Sequence, residues 1–220
     1  MAPQPVAILG GTGPQGRGLA LRLSLAGVPV VIGSRDAARA EETAAGLRGI
    51  GEGAPLSGAA NAEAASAAGV VFVAVPWDAH EPTLRSLVAE LDGRIVVDLV
   101  NPLEFDRSGP VAVPVAEGSA AEQAQAILPG SKVVAGFHHV SAKLLIDLEG
   151  GVDTDILVCG GDADAKREVI ALADLLPGCR GVDAGPLRLA RHLEGFTAVI
   201  LSVNRRYRAN TGVRVTNLPG

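Results

Sequence analysis

Tryptophan, tyrosine and methionine occur once each in these 220 residues, and cysteine twice. Aromatics make up only 3% of the chain, which leaves little from which to build a stacking platform for single-stranded nucleic acid. Basic residues are also in deficit, 19 against 24 acidic, for a formal charge of −5. That balance gives DNA or RNA no electrostatic footing, so no nucleic-acid partner is expected. Cys159 and Cys179 are too few for a disulfide framework or a cysteine metal cage. They read as two small buried hydrophobes in a reducing compartment, and no metal site is expected. No apolar run approaches the ~18 residues of a membrane-spanning helix. Met1-Ala2-Pro3-Gln4-Pro5 carries no charge, and the apolar run after it is too short for a secretory leader. A cytoplasmic location without a membrane partner is the expectation.

What is present is a globular composition, 48% apolar and 20% charged, in which short apolar runs alternate with helical segments. Val6-Ala7-Ile8-Leu9, Val30-Val31-Ile32, the run 70–75, the run 95–99 and the run 133–137 read as strands. They are continuous rather than alternating, as in strands covered on both faces, and the rhythm implies a doubly wound α/β parallel sheet. Helices are expected from Gly16 to about Ala26, from Ala37 to Leu47 and from Ala163 to Leu176. Asp162 is placed to cap the last of these, and Ser119-Ala120-Ala121-Glu122 forms a capping box. One more strand (Ile156-Leu157-Val158-Cys159), a turn at Pro177-Gly178 and a helix from about Pro186 to Arg208 follow. The change of character near residue 136 suggests two domains. Residues 1–135 would bind a nucleotide, and residues 136–220 would form a smaller α/β domain completing a second-substrate cleft.

Gly11-Thr12-Gly13-Pro14-Gln15-Gly16 fits G-x-G-x-x-G, directly after a strand and opening a helix. In that context it is a Rossmann dinucleotide-binding turn, with Gly11 making the tight bend, Gly13 admitting the pyrophosphate and Gly16 packing helix on strand. Free amides and the helix dipole favour the anion there. The second strand ends Gly33-Ser34-Arg35, with Arg39 one helical turn on, where an NAD enzyme usually carries a carboxylate. A hydroxyl and two guanidinium groups suit the ribose phosphate of NADP(H), and Asp36 reads as the cap of the next helix. Val75-Pro76-Trp77 and Asn101 follow the next two strands at the carboxyl edge, where ligands of such sheets bind.

The opening run 8–23 resembles the NADPH-dependent reductases of coenzyme F420, the F420H2:NADP oxidoreductases. Gly33-Ser34-Arg35, Val75-Pro76-Trp77, Gly136-Phe137-His138-His139, Asp183-Ala184-Gly185-Pro186-Leu187 and Leu193-Glu194-Gly195 with Thr197 fall in that family's order. The likeness runs over essentially the whole chain. It departs from the archaeal form at His139-Val140-Ser141 and Arg188-Leu189-Ala190. The resemblance implies direct hydride exchange between NADP(H) and the 5-deazaflavin coenzyme F420. Thr12, Ser34, Arg35 and Arg39 would hold NADP. His138 would lie over the deazaflavin as the catalytic residue, with Arg191 and Thr197 beside it. A histidine there would stabilise charge gathering on the reduced ring.

Two other readings keep the nucleotide and change its use: reduction of a flavin, imine or ketone, or NADP sensing without catalysis. An imine or ketone reductase needs a proton donor near the nicotinamide, and Lys143 is the candidate. Arg205, Arg206 and Arg208 either attract an anionic coenzyme tail or form a solvated helix end, the more frequent case. The last helix is apolar at Phe196, Val199, Ile200 and Val203, which points to a homodimer face or to the core of the smaller domain.

Overall fold

The computed structural model describes residues 5–50 and 55–218. Residues 1–4, on which the expectation about a secretory leader partly rests, lie outside that range. The chain forms, in order, β1 Val6–Leu9, α1 Pro14–Leu25, β2 Val30–Ser34, α2 Ala37–Arg48, β3 Leu56–Ala60, α3 Asn61–Ala67 and β4 Val70–Val73. Next come α4 Trp77–Arg85, α5 Val88–Leu91, β5 Ile95–Asp98, β6 Leu103–Phe105, β7 Pro110–Ala112, α6 Ala120–Ile127 and β8 Lys132–Ala135. The remainder is α7 Ala142–Ile146, β9 Thr154–Gly160, α8 Ala163–Asp174, β10 Cys179–Gly185, a 3-10 turn Leu187–Leu189 and α9 Ala190–Tyr207.

Eight strands form one sheet in the order β10-β9-β8-β5-β4-β1-β2-β3, and β6 with β7 makes a separate hairpin. Neighbours are parallel at every junction but β8–β9. The chain moves outward from β1 through β2 to β3, then returns to the other flank of β1 as β4. That reversal opens a crevice beyond the carboxyl ends of β1 and β4, where such sheets take their ligands. Successive strand residues feed opposite cores. Val6 and Ile8 pack with the buried leucines of α1 on one face, and Ala7 and Leu9 pack with Ala64, Leu84 and Leu91 on the other.

β8 ends at Ala135, and β9 and β10 extend the same sheet beyond it. Two strands and a hairpin differ from the sequence expectation. β3 reads Leu-Ser-Gly-Ala-Ala, without a β-branched residue, and is a strand because β2 pairs with it along its whole length. β10, Cys-Arg-Gly-Val-Asp-Ala-Gly, fills the span between the turn expected at Pro177-Gly178 and the helix expected from Pro186, where no strand is expected.

The expected caps are present. Asp36 Oδ1 accepts from the amides of Ala38 (2.9 Å) and Arg39 (3.3 Å), and Asp162 Oδ1 from that of Ala165 (2.8 Å). Ser119 Oγ accepts from the Glu122 amide at 3.0 Å, but Glu122 turns its carboxylate to the Ser119 hydroxyl and to Arg191. The first two amides of α6 go to Glu194 of α9, at 2.9 Å from Ala120 and 3.2 Å from Ala121. Cys159 is buried as expected and Cys179 only half-buried; both are free thiols that burial pushes up to about 11.

Candidate functional site

The turn between β1 and α1 is built by exclusion. Gly10, one residue before the expected bend at Gly11, takes the left-handed conformation (φ +72°). Gly11 is confined instead by the Ile8 carbonyl, 2.7 Å from where a methyl would stand, and Gly16 by Gly11 Cα at 2.6 Å. At Gly13 an added methyl would meet only the Gly10 carbonyl, at 3.4 Å, so that side of the turn is open to a ligand. α1 has Pro14 in its first turn, no acidic residue there and no side-chain cap. Its amino end is thus an unneutralised anion site.

Three cavities run along the carboxyl edge. The first, of about 570 Å³, is lined by Thr12, Gly13, Pro14, Gln15, Ser34, Arg35 and Arg39, with Asn61, Asp78 and Thr83. The second is a slot of about 230 Å³ lined by Val75, Pro76, Trp77, Asn101 and His138 with Leu99 and Val100. The third, about 640 Å³, takes in Asn101, His138, His139, Thr197, Ile200, Lys143, Arg205 and Arg208. Gln15 lines all three, Val75 and Pro76 the first two, Asn101 and His138 the last two. The three cavities therefore adjoin through shared walls and line one groove along that edge. Within it Ser34 Oγ accepts from the Asp36 amide at 3.2 Å. Arg35 and Arg39 are exposed and have no ionic partner among the described residues.

His138 follows a strained residue. Phe137, buried with its ring edge-on to Phe72 at 5.5 Å, has φ +64°, a backbone state that bulky residues avoid. His138 is 5% exposed, and neither of its ring nitrogens has a hydrogen-bond partner. Burial pushes it down to about 4, so it is a neutral imidazole with one N–H to give. Its carbonyl accepts from Asn101 Nδ2 at 3.0 Å, while Asn101 Oδ1 is unpartnered. His139 hydrogen-bonds the Asp155 carbonyl through Nε2 at 2.8 Å, and burial lowers it as well. Thr197 Oγ1 donates to the Leu193 carbonyl at 3.2 Å and lines the third cavity.

A dinucleotide turn, a strand end carrying Ser34, Arg35 and Arg39, and a second cavity sharing its wall make up the site. The family model described as NADP oxidoreductase, coenzyme F420-dependent, matches residues 5–102. The F420-dependent NADP reductase of Methanothermobacter marburgensis is 41% identical over 97% of this chain and 99% of its own. That of Methanocaldococcus jannaschii is 41% identical over 97% and 98%. This chain belongs to the F420-dependent NADP reductase family. A crystal structure of a putative F420-dependent NADP-reductase from an Arthrobacter species superposes with a TM-score of 0.81 at 30% identity. It covers 97% of this chain and all of its own. An imine reductase from Myxococcus stipitatus (TM-score 0.61, 19% identity) shares the fold.

Against the site residues expected of the family, the groove gathers Thr12, Ser34, Arg35, Arg39, His138 and Thr197. Arg191 stands apart. It lines none of the three cavities and is paired with Glu122 at 2.8 Å, over Gly118, where a methyl would lie 2.2 Å from Arg191 Nη2. Behind the slot lies a cluster that sequence reasoning passed over. His80 and Asp98 are fully buried, with Nε2 and Oδ2 2.6 Å apart, and His80 Nδ1 lies 3.0 Å from Gln123 Oε1. Burial opposes the charge on His80, but the Asp98 carboxylate and these hydrogen bonds outweigh it, so His80 is raised above its ordinary value. Burial pushes the nearby Glu194 up to about 7, against the pull of the two α6 amides. The only signal in the sequence was an aspartate closing an otherwise apolar strand. Among the described residues no metal-binding cluster is present, and no helix is long and apolar enough to cross a membrane.

Proposed function

We propose that the groove performs hydride exchange between NADP(H) and the deazaflavin coenzyme F420. The observation that carries this reading is the sharing of walls among the three cavities. One ligand entering from the glycine turn and another from the His138 side reach the same slot. The residues fit NADP: Gly13 leaves room for the pyrophosphate, and Ser34, Arg35 and Arg39 offer a hydroxyl and two guanidinium groups to the ribose phosphate. When both are bound, NADPH, oxidised F420 and one proton become NADP+ and reduced F420, the hydride passing directly between the rings. No protein nucleophile is needed. His138, a neutral imidazole in the wall shared by the slot and the third cavity, lies in this reading over the deazaflavin, where negative charge develops on reduction. Lys143, Arg205 and Arg208, which line the third cavity, suit an anionic coenzyme tail. Arg191 orients α9 through Glu122 rather than touching the ring.

Residues 136–220 serve in this reading as the unit that completes the second-substrate cleft. α9 leaves Phe196, Val199 and Tyr207 exposed, and the adjoining hairpin leaves Phe105 and Val111, an apolar face suited to a second copy of the chain. A cytoplasmic homodimer acting on two small molecules, with no nucleic-acid partner, is the proposed working form. The deciding assay follows NADPH consumption by the purified protein with F420 as acceptor, beside free flavins and simple imines. Turnover with F420 alone is the expected result. Turnover with flavin or imine but not F420, or tight NADP binding with no turnover at all, would replace this reading with one of the two others.

A further inference from the structure

Hydride transfer does not itself call for the buried pair of His80 and Asp98, and such a pair costs desolvation that an apolar one avoids. Its hydrogen-bond pattern defines its state. Gln123 Nε2 donates to Glu117 at 3.3 Å, which fixes the amide and turns Oε1 toward His80. Both nitrogens of His80 therefore face acceptors, the Gln123 carbonyl and the Asp98 carboxylate, and the ring is held as an imidazolium. The pair joins two walls of the slot. Trp77 lies one helical turn before His80 on α4, with ring centroids 5.5 Å apart and planes tilted by 33°. On the β5 side Asp98 Oδ1 accepts from the Val100 amide at 3.0 Å, and Leu99, Val100 and Asn101 line the same slot as Trp77. Asn101 in turn holds the carbonyl of His138.

We propose that His80 and Asp98 are positioning residues for hydride transfer, fastening the Trp77 wall to the Leu99–Asn101 wall and so setting the gap in which the two rings stack. The inference rests on the slot being where the rings meet. Reacting atoms must approach to about 3–3.5 Å, and a misplacement of about 1 Å costs on the order of a hundredfold in rate. A charged, doubly hydrogen-bonded tie fixes distances that an apolar contact of equal volume leaves adjustable.

The test is single-turnover transfer from saturating NADPH to F420 in His80→Leu and His80→Asn, which break the tie, and His80→Gln, whose amide can still donate to Asp98. The breaking variants should transfer between about tenfold and a hundredfold more slowly, with NADP+ dissociation constants within about threefold of the original. The glutamine variant should recover most of the rate. A folded breaking variant within about twofold of the original rate overturns the proposal, as does a glutamine variant as slow as the leucine one. Should neither breaking variant fold, the glutamine variant decides alone: a near-original rate upholds the tie, and a loss of about tenfold or more overturns it. Trp77 is the only tryptophan of the chain, so its emission reports on the slot directly. No change on adding NADP+ to the unmodified protein would remove the slot reading itself. A change accompanied by undiminished transfer in the breaking variants would remove only the tie.

Discussion

A guanidinium group distinguishes NADP from NAD because it binds a phosphate in two places and has nothing comparable to offer a bare hydroxyl. Arg35 and Arg39 are exposed on the wall of the first cavity, and Asp36, the carboxylate that follows Arg35 in the chain, is occupied with the amides of α2. Arg35→Asp should therefore lower kcat/KM for NADPH by about a hundredfold, the scale of one charge-assisted contact replaced by repulsion, and leave NADH nearly unaffected. Steady-state kinetics with both nucleotides check this, and an unchanged NADPH:NADH ratio would place the ribose phosphate elsewhere. This half of the site was legible in the sequence because its chemistry is local: the glycine turn and the end of β2 are each contiguous runs. His80 and Asp98 lie on separate elements, and each alone looks like an isolated polar residue. Arg191, which the motif order puts beside the deazaflavin, is paired with Glu122 and lines none of the three cavities.

Among the elements, the contact of α1 with α7 links the two ends of the groove. α1 carries the nucleotide turn at its amino end, and α7 contributes Ala142 and Lys143 to the third cavity. They meet at Gly18, where a methyl would stand 2.5 Å from Leu145 Cβ. Arg22, nearly buried, donates to the carbonyls of Leu145 (2.9 Å), Leu144 (3.0 Å) and Gly150 (2.8 Å). Gly18→Ala should destabilise the protein by about 1–3 kcal/mol, the cost of overpacking, and raise KM for F420 severalfold as α7 is displaced. Gly46→Ala is the matched control: it sits within α2 with nothing within 4 Å, so alanine there should stabilise by about 0.5–1 kcal/mol. Chemical melts of the two variants check the opposite signs. α1, α2, α8 and α9 could be read from their apolar period. α7, with five residues, is too short to show one, and its position is set by Arg22, which looks in the sequence like an ordinary surface arginine.

For the whole molecule, the strand–helix rhythm foretold the parallel part of the sheet and was silent on how the far edge is closed. β9 runs antiparallel to β8, and the C-terminal segment is strapped to its first residues by the Asp155 amide donating to the Val213 carbonyl at 2.6 Å. The strap is ionic as well. Fully buried Asp155 accepts from Arg180 (3.0 and 2.6 Å), from Arg214 (2.7 Å) and from the Val215 amide (2.7 Å). No sequence pattern announces a partner 59 residues away. The hydrogen bonds from Arg180 lead in holding the Asp155 carboxyl far below its ordinary value, against the effect of burial. Because the folded value is depressed, the stabilisation is fully present above the unfolded value near 3.8 and is lost as pH falls toward the folded one. Asp155→Asn leaves two guanidinium groups without their anion and should cost about 3 kcal/mol at pH 7. At pH 3 the unfolded aspartate is already mostly protonated, so the gap between variant and original should narrow by about 1 kcal/mol. Urea melts of both proteins at the two pH values measure this. A gap equally wide at pH 3 would mean that the cost of the substitution lies in packing, and that Asp155 does not join the C-terminal segment to the sheet by its charge.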